Sequence, residues 1–115
     1  NGDVINKIGT YLKALAAYDN DIPFYVALPG TTIDKDNNKV TENMIEYRSA
    51  DELTHIEGID DNQKLKKVRI YPEKCNAINP AFDITPNHPI SAIITENGIA
   101  KAPFKKSLKA LANQK

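Results

Sequence analysis

The sequence has a single cysteine, Cys75, in 115 residues, which excludes an internal disulfide framework and any metal site built from several thiolates. Its two histidines, His55 and His88, stand too far apart for zinc-ligand spacing. Net charge is missing as well. Fifteen lysines and arginines against fifteen aspartates and glutamates leave no field to gather nucleic acid or an anionic membrane surface. No apolar run approaches the roughly 18 residues of a membrane span. The opening residues have neither a basic leader nor a signal-type apolar core. The expectation is a cytoplasmic protein with no nucleic-acid partner, no membrane partner and no metal, long enough for one core.

What is present begins with Asn1-Gly2-Asp3-Val4-Ile5-Asn6-Lys7-Ile8-Gly9-Thr10-Tyr11. Val4, Ile8, Leu12 and Leu15 or Ala16 follow one helix stripe, so a helix is predicted from about Val4 to Tyr18, capped by Asn1 or Asp3. The bare N–H groups and dipole of such a start favour an anion, and Lys7 adds a positive charge close by. Asn6 and Lys7 then have two readings. They are the solvated face of an amphipathic helix, or an amide and an ammonium that hold phosphate and hydroxyl oxygens. Gly9 within a helix costs about 1 kcal/mol relative to alanine and needs a packing or ligand reason.

Ile22 to Leu28 is a nearly unbroken apolar run, as expected of a strand buried on both faces of a parallel sheet. A helix leading into such a strand implies an earlier strand to cross over from. No residue before Val4 supplies one, so the chain is expected to be the C-terminal piece of a larger α/β protein, incomplete at its N-terminus. Pro29-Gly30-Thr31-Thr32-Ile33-Asp34 leaves the carboxyl end of that strand, where ligands gather in open α/β sheets. Asp34 either ties down a loop or faces a ligand.

Residues 35–43 are polar and predict a surface connection, followed by a short strand over Met44–Arg48. Ser49-Ala50-Asp51-Glu52 has capping-box spacing and should open a short helix. Ile56–Gly58 and Leu65–Tyr71 flank a polar tip and predict a hairpin. Lys64, Lys66 and Lys67 should be screened there by Asp60 and Asp61. His55 has no serine or cysteine beside it to activate, and Cys75 no histidine, so both are expected to be passive. Thr85-Pro86 predicts a helix N-terminus, with Ile90, Ile93 and Ile94 on one helix face and Asn97-Gly98 as its stop. Asp83 before it either holds the loop through backbone N–H groups, the favoured reading since turn aspartates mostly bond their own backbone, or faces a ligand. Phe104, Leu108 and Leu111 mark a terminal helix, with Lys105, Lys106 and Lys109 on a solvated face.

Four of these stretches, in order, resemble methylthioribose-1-phosphate isomerases, relatives of the regulatory subunits of eukaryotic initiation factor 2B. They are Asn1–Tyr11, Leu28–Asp34, Glu46–Ile56 and Asn79–Pro86, the last reading Asn-Pro-Ala-Phe-Asp-Ile-Thr-Pro. Asn87-His88-Pro89 departs from the family's pattern. The resemblance implies part of a Rossmann-like parallel-sheet domain with flanking helices and a small hairpin, occupying residues 1–115. It also implies a small sugar phosphate as partner, held by Asn6 and Lys7, no cofactor, and a homodimer as the complete protein. The family's catalytic cysteine and aspartate would lie upstream, the aspartate in a Gly-Ala-Asp-Arg segment. No catalytic residue is therefore expected within this chain, and Cys75 does not match the cysteine motif. The initiation-factor type of regulatory subunit and ribose-1,5-bisphosphate isomerase are the alternatives.

Overall fold

In the computed structural model, which describes residues 1–37 and 39–112, the opening stretch is a strand. β1 covers Val4–Lys7 and pairs antiparallel with β5, Phe82–Thr85, in register from Val4↔Thr85 to Lys7↔Phe82. The predicted helix from Val4 is thus corrected: α1 runs over Thr10–Asp19 only. Neither Asn1 nor Asp3 caps it. Gly9 stands at the N-cap with φ 99°, a left-handed conformation that glycine adopts without a Cβ penalty. The even spacing of Val4, Ile8 and Leu12 spans a strand, a turn and a helix, so the helical period read there belongs to no one element.

β2, Tyr25–Ala27, lies parallel to β6, Ala92–Thr95, and β7, Gly98–Ala100, completes this sheet antiparallel to β6. Here the second correction falls. The stretch predicted as a helix from Thr85 to Asn97 is strand, turn and strand, because Ile93, Ile94 and Thr95 are β-branched and stiff at χ1. Asn97-Gly98 ends no helix; Glu96 and Asn97 form the two-residue loop of the β6–β7 hairpin. Thr85 caps nothing and is fully buried in β5.

Val4, Ile90, Ile93, Ala100 and Phe104 form the core, with Phe24, Val26, Leu28, Leu108 and Leu111 packed on it. Phe104, Leu108 and Leu111 come from α3, Phe104–Ala112, the terminal helix that their spacing predicts. β2 is half-buried at Val26 alone, since Tyr25 and Ala27 are exposed. It is not the strand covered on both faces that its composition suggests.

These elements make up one compact unit, Asn1–Met44 with Phe82–Lys115; Ile45–Ala81 make a second. In the second, α2, Asp51–Thr54, leads into the predicted hairpin of β3, His55–Ile59, and β4, Leu65–Arg69. Ser49 Oγ accepts the Asp51 N–H at 3.2 Å, whereas Glu52 turns to the Arg48 guanidinium at 2.7 Å rather than closing a capping box. Lys66 pairs with Asp60 at 2.8 Å and Lys67 with Asp51 at 2.9 Å. The strand predicted over Met44–Arg48 reduces to one bridge, Tyr47↔Pro80. At the end of the polar connection over 35–43, Glu42–Met44 form a 3-10 turn that takes in the first residue of the predicted strand, and Asn38 lies outside the described residues.

Candidate functional site

Asn6 and Lys7 stand at the carboxyl end of β1, opposite Asp83 and Phe82. Alternation along the strand puts Asn6 on the face of Val4 and Lys7 on the face of Ile5. Both are exposed. Among the described residues neither side chain has a hydrogen-bond or ion-pair partner. The chain then turns through Ile8-Gly9 into α1, and the Lys7 carbonyl accepts the Thr10 hydroxyl at 2.7 Å.

The bare helix start expected to attract an anion is already served. The Asp83 carboxylate accepts the Gly9 N–H at 2.7 Å and the Tyr11 N–H at 3.1 Å, so this chain's own carboxylate takes the place of a bound anion. Asp83 therefore holds structure, as read from sequence. Its donors are not its own loop but residues 74 and 72 positions away. Asp3 acts likewise, its Oδ1 accepting the Asn87 backbone N–H and side-chain amide, both at 2.9 Å. Val4–Lys7 and Phe82–Thr85 are thus held as paired strands, with carboxylate clasps from Asp83 to the start of α1 and from Asp3 to Asn87.

A cavity of about 540 Å³ opens beside the start of β1, lined by Val4, Ile5 and Leu28 with Asp34, Lys105 and Lys109 at its polar side. Lys105 and Lys109, assigned to a solvated face, help to wall it. A smaller one of about 330 Å³ lies at Gly30, Glu96 and Leu111. Asn6 and Lys7 line neither. Asp34 accepts the backbone N–H groups of Asp36 and Asn37 at 3.0 and 3.1 Å and the Asn37 side-chain amide at 2.7 Å. Chiefly that side-chain bond lowers its pKa below the usual carboxylate value, and its role is that of a loop tie. His55 Nδ1 lies 2.9 Å from the Thr54 hydroxyl and 3.6 Å from Asp51. Cys75 is free and exposed. Among the described residues no cluster of three His, Cys, Asp or Glu could hold a metal ion, and no helix is long and apolar enough to cross a membrane.

Glu96 escaped the sequence reading because its partner is 66 residues away: its carboxylate accepts the Gly30 N–H at 2.7 Å. That bond is the main cause that holds its pKa below the ordinary 4.5. A depressed carboxylate pKa contributes stability that is present above the unfolded value and lost as pH falls through the folded one. Between about pH 5 and 3, the urea midpoint of Glu96→Gln is expected to fall less steeply than that of the wild type. Parallel slopes would remove Glu96 from the acid response.

The Initiation factor 2 subunit family model matches residues 1–102. A methylthioribose-1-phosphate isomerase of Brucella anthropi is 56% identical over 112 residues, covering 96% of this chain and 30% of that protein. Among solved structures, a 5-methylthioribose 1-phosphate isomerase from Pyrococcus horikoshii superposes with a TM-score of 0.77 at 38% identity, over 96% of this chain and 28% of its own. The delta subunit of translation initiation factor eIF-2B from A. fulgidus gives 0.77 at 34%, over 96% and 29%. The chain thus spans about 30% of the length of the curated relative. The mixed α/β architecture agrees with these neighbours, and with residues 1–102 matched the chain belongs to the Initiation factor 2 subunit family.

Proposed function

We propose that these residues are the C-terminal portion of a methylthioribose-1-phosphate isomerase that, as a complete protein, interconverts an aldose 1-phosphate and 5-methylthioribulose 1-phosphate in methionine salvage. The supporting observation is identity above one half over nearly the whole chain with the Brucella anthropi isomerase. The chemistry asks for more than this chain holds. Phosphate on the anomeric oxygen prevents simple opening to a free aldehyde, so a proton or hydride must pass between C1 and C2 in a pocket with tuned acid and base groups. Those groups are assigned to the remainder of the protein. Asn6 and Lys7 are assigned to hold the sugar phosphate, an assignment favoured by their exposure and their unengaged side chains. The complete protein acts in the cytoplasm as a homodimer.

The test is isomerase activity of the protein encoded by the complete reading frame, with none from residues 1–115 alone. In the complete protein Lys7→Ala is expected to weaken sugar-phosphate binding by roughly 1.5–3 kcal/mol, the scale of a charge-assisted hydrogen bond, or about ten- to a hundredfold in KM. Unchanged KM and kcat would take Lys7 out of the site. A second reading, a sugar-phosphate-binding regulatory subunit without chemistry, draws on the equal TM-score of the eIF-2B subunit. Upstream coding sequence without a cysteine motif and Gly-Ala-Asp-Arg would favour it.

A further inference from the structure

Lys7 carries its ammonium on a flexible stem, and among the described residues that ammonium has no partner. What the fold can set is where the stem starts. Its root is the last residue of β1, in a sheet of two strands with four residues each, and a lone two-stranded ribbon is marginal in water. The end that bears Lys7 needs an outside hold.

Asp83 supplies it. The Lys7 carbonyl accepts the Thr10 hydroxyl at 2.7 Å, so the backbone of Lys7 moves with the first turn of α1. That turn is held in its place by the half-buried Asp83 carboxylate: Oδ2 accepts the Gly9 N–H at 2.7 Å and the Tyr11 N–H at 3.1 Å, and Oδ1 the Tyr11 N–H at 3.2 Å. Among the described residues, the hydrogen bonds that reach residues 8–11 from another element all come from Asp83. It also stands directly opposite Asn6 in the ladder. One side chain of β5 thus fixes the end of β1 and the start of α1 against each other.

We infer that Asp83 is a positioning residue of the sugar-phosphate site: without touching the ligand, it fixes the strand-to-helix turn from which Lys7 reaches the phosphate. The inference rests on the reading that Lys7 holds the sugar phosphate. Its physical content is preorganisation, since a turn already fixed leaves less to order on binding. The sign of the effect separates this from plain electrostatics. A carboxylate beside Lys7 repels an incoming phosphate, so charge alone predicts tighter binding once it is removed. Positioning predicts weaker binding. A direct ligand contact from Asp83 would also weaken binding when lost, but independently of Lys7.

The experiment is a double-mutant cycle in the protein from the complete reading frame, titrated calorimetrically with 5-methylthioribose 1-phosphate at a temperature where circular dichroism shows every variant folded. Asp83→Ala is expected to raise Kd about tenfold, the scale of ordering side chains on binding. In the Lys7→Ala background the same change should add less than about threefold, because its route to the ligand is gone. Tighter or unchanged binding in Asp83→Ala overturns the inference. So do effects of Asp83→Ala and Lys7→Ala that multiply in full. If Asp83→Ala does not fold, Asp83→Asn, which keeps one acceptor oxygen, takes its place with an expected rise of about threefold and the same criteria. Lys7→Ala without effect on Kd refutes the site reading itself, whereas a potent Lys7→Ala beside a silent Asp83→Ala refutes the positioning alone. Turnover is read separately: a protein that binds with this coupling but does not isomerise loses the isomerase and keeps the positioning role.

Discussion

Gly2→Ala is expected to destabilise the chain by about 3 kcal/mol, from two causes that act together. Gly2 has φ +96°, where an L side chain is strained by roughly 1–3 kcal/mol. An alanine Cβ built there would also stand 2.5, 2.7 and 2.9 Å from Cβ, Cγ and Cδ2 of Phe104. Phe104 is 4% exposed and belongs to the core, so it has no free direction in which to yield, and overpacking of this kind costs about 1–3 kcal/mol. Urea unfolding followed by circular dichroism would show it as a lower midpoint at unchanged slope. Phe104→Ala should be partly relieved in the Gly2→Ala background, with a coupling of about 1 kcal/mol or more. A Gly2→Ala variant within about 0.5 kcal/mol of the wild type would mean that the start of the chain does not press on α3.

Asp83→Ala carries the second large effect, again about 3 kcal/mol. It strips the carboxylate from the Gly9 and Tyr11 N–H groups; bonds to a charged group contribute roughly 1.5–3 kcal/mol each. Loss of a helix cap alone amounts to about 0.5–2. Asp83→Asn keeps one oxygen in place and should lose about half as much. Amide exchange at Gly9 and Tyr11 should quicken in both variants while that of Val26 does not. Were Asp83→Ala as stable as the wild type, the clasp between β5 and α1 would be ornamental and the N–H groups would be free for a ligand's anion.

Legibility in the sequence followed the distance between partners. The β3–β4 hairpin and α3 could be read because their signals are local: Asp60 accepts from Asn62 and Lys64 within its own turn, and Phe104, Leu108 and Leu111 repeat at helical spacing. β1 could not be read, because its partner β5 lies at the other end of the unit and four residues are too few to set a period of two against one of 3.6. Ile93-Ile94 was ambiguous in kind. A short apolar run fits a buried helix turn or a strand, and Asn97-Gly98 closes either, so two wrong signals supported each other. In the site, Asn6 and Lys7 were carried by resemblance alone. Asp83 was recognisable as structural, while Asp3, Glu96 and their distant donors left no mark that spacing could detect.

The neck of the Ile45–Ala81 unit has a consequence for how the chain can be edited. Its incoming and outgoing segments are laced side by side: Arg48 N–H to Asn79 C=O and Ala81 N–H to Glu46 C=O, both at 2.8 Å, around the Tyr47↔Pro80 bridge. Antiparallel neighbours of that kind stand about 5 Å apart, a gap that a tight turn closes. The 37-residue span between Met44 and Phe82 is therefore a cassette, open to excision or exchange by splicing a short hairpin loop across its base.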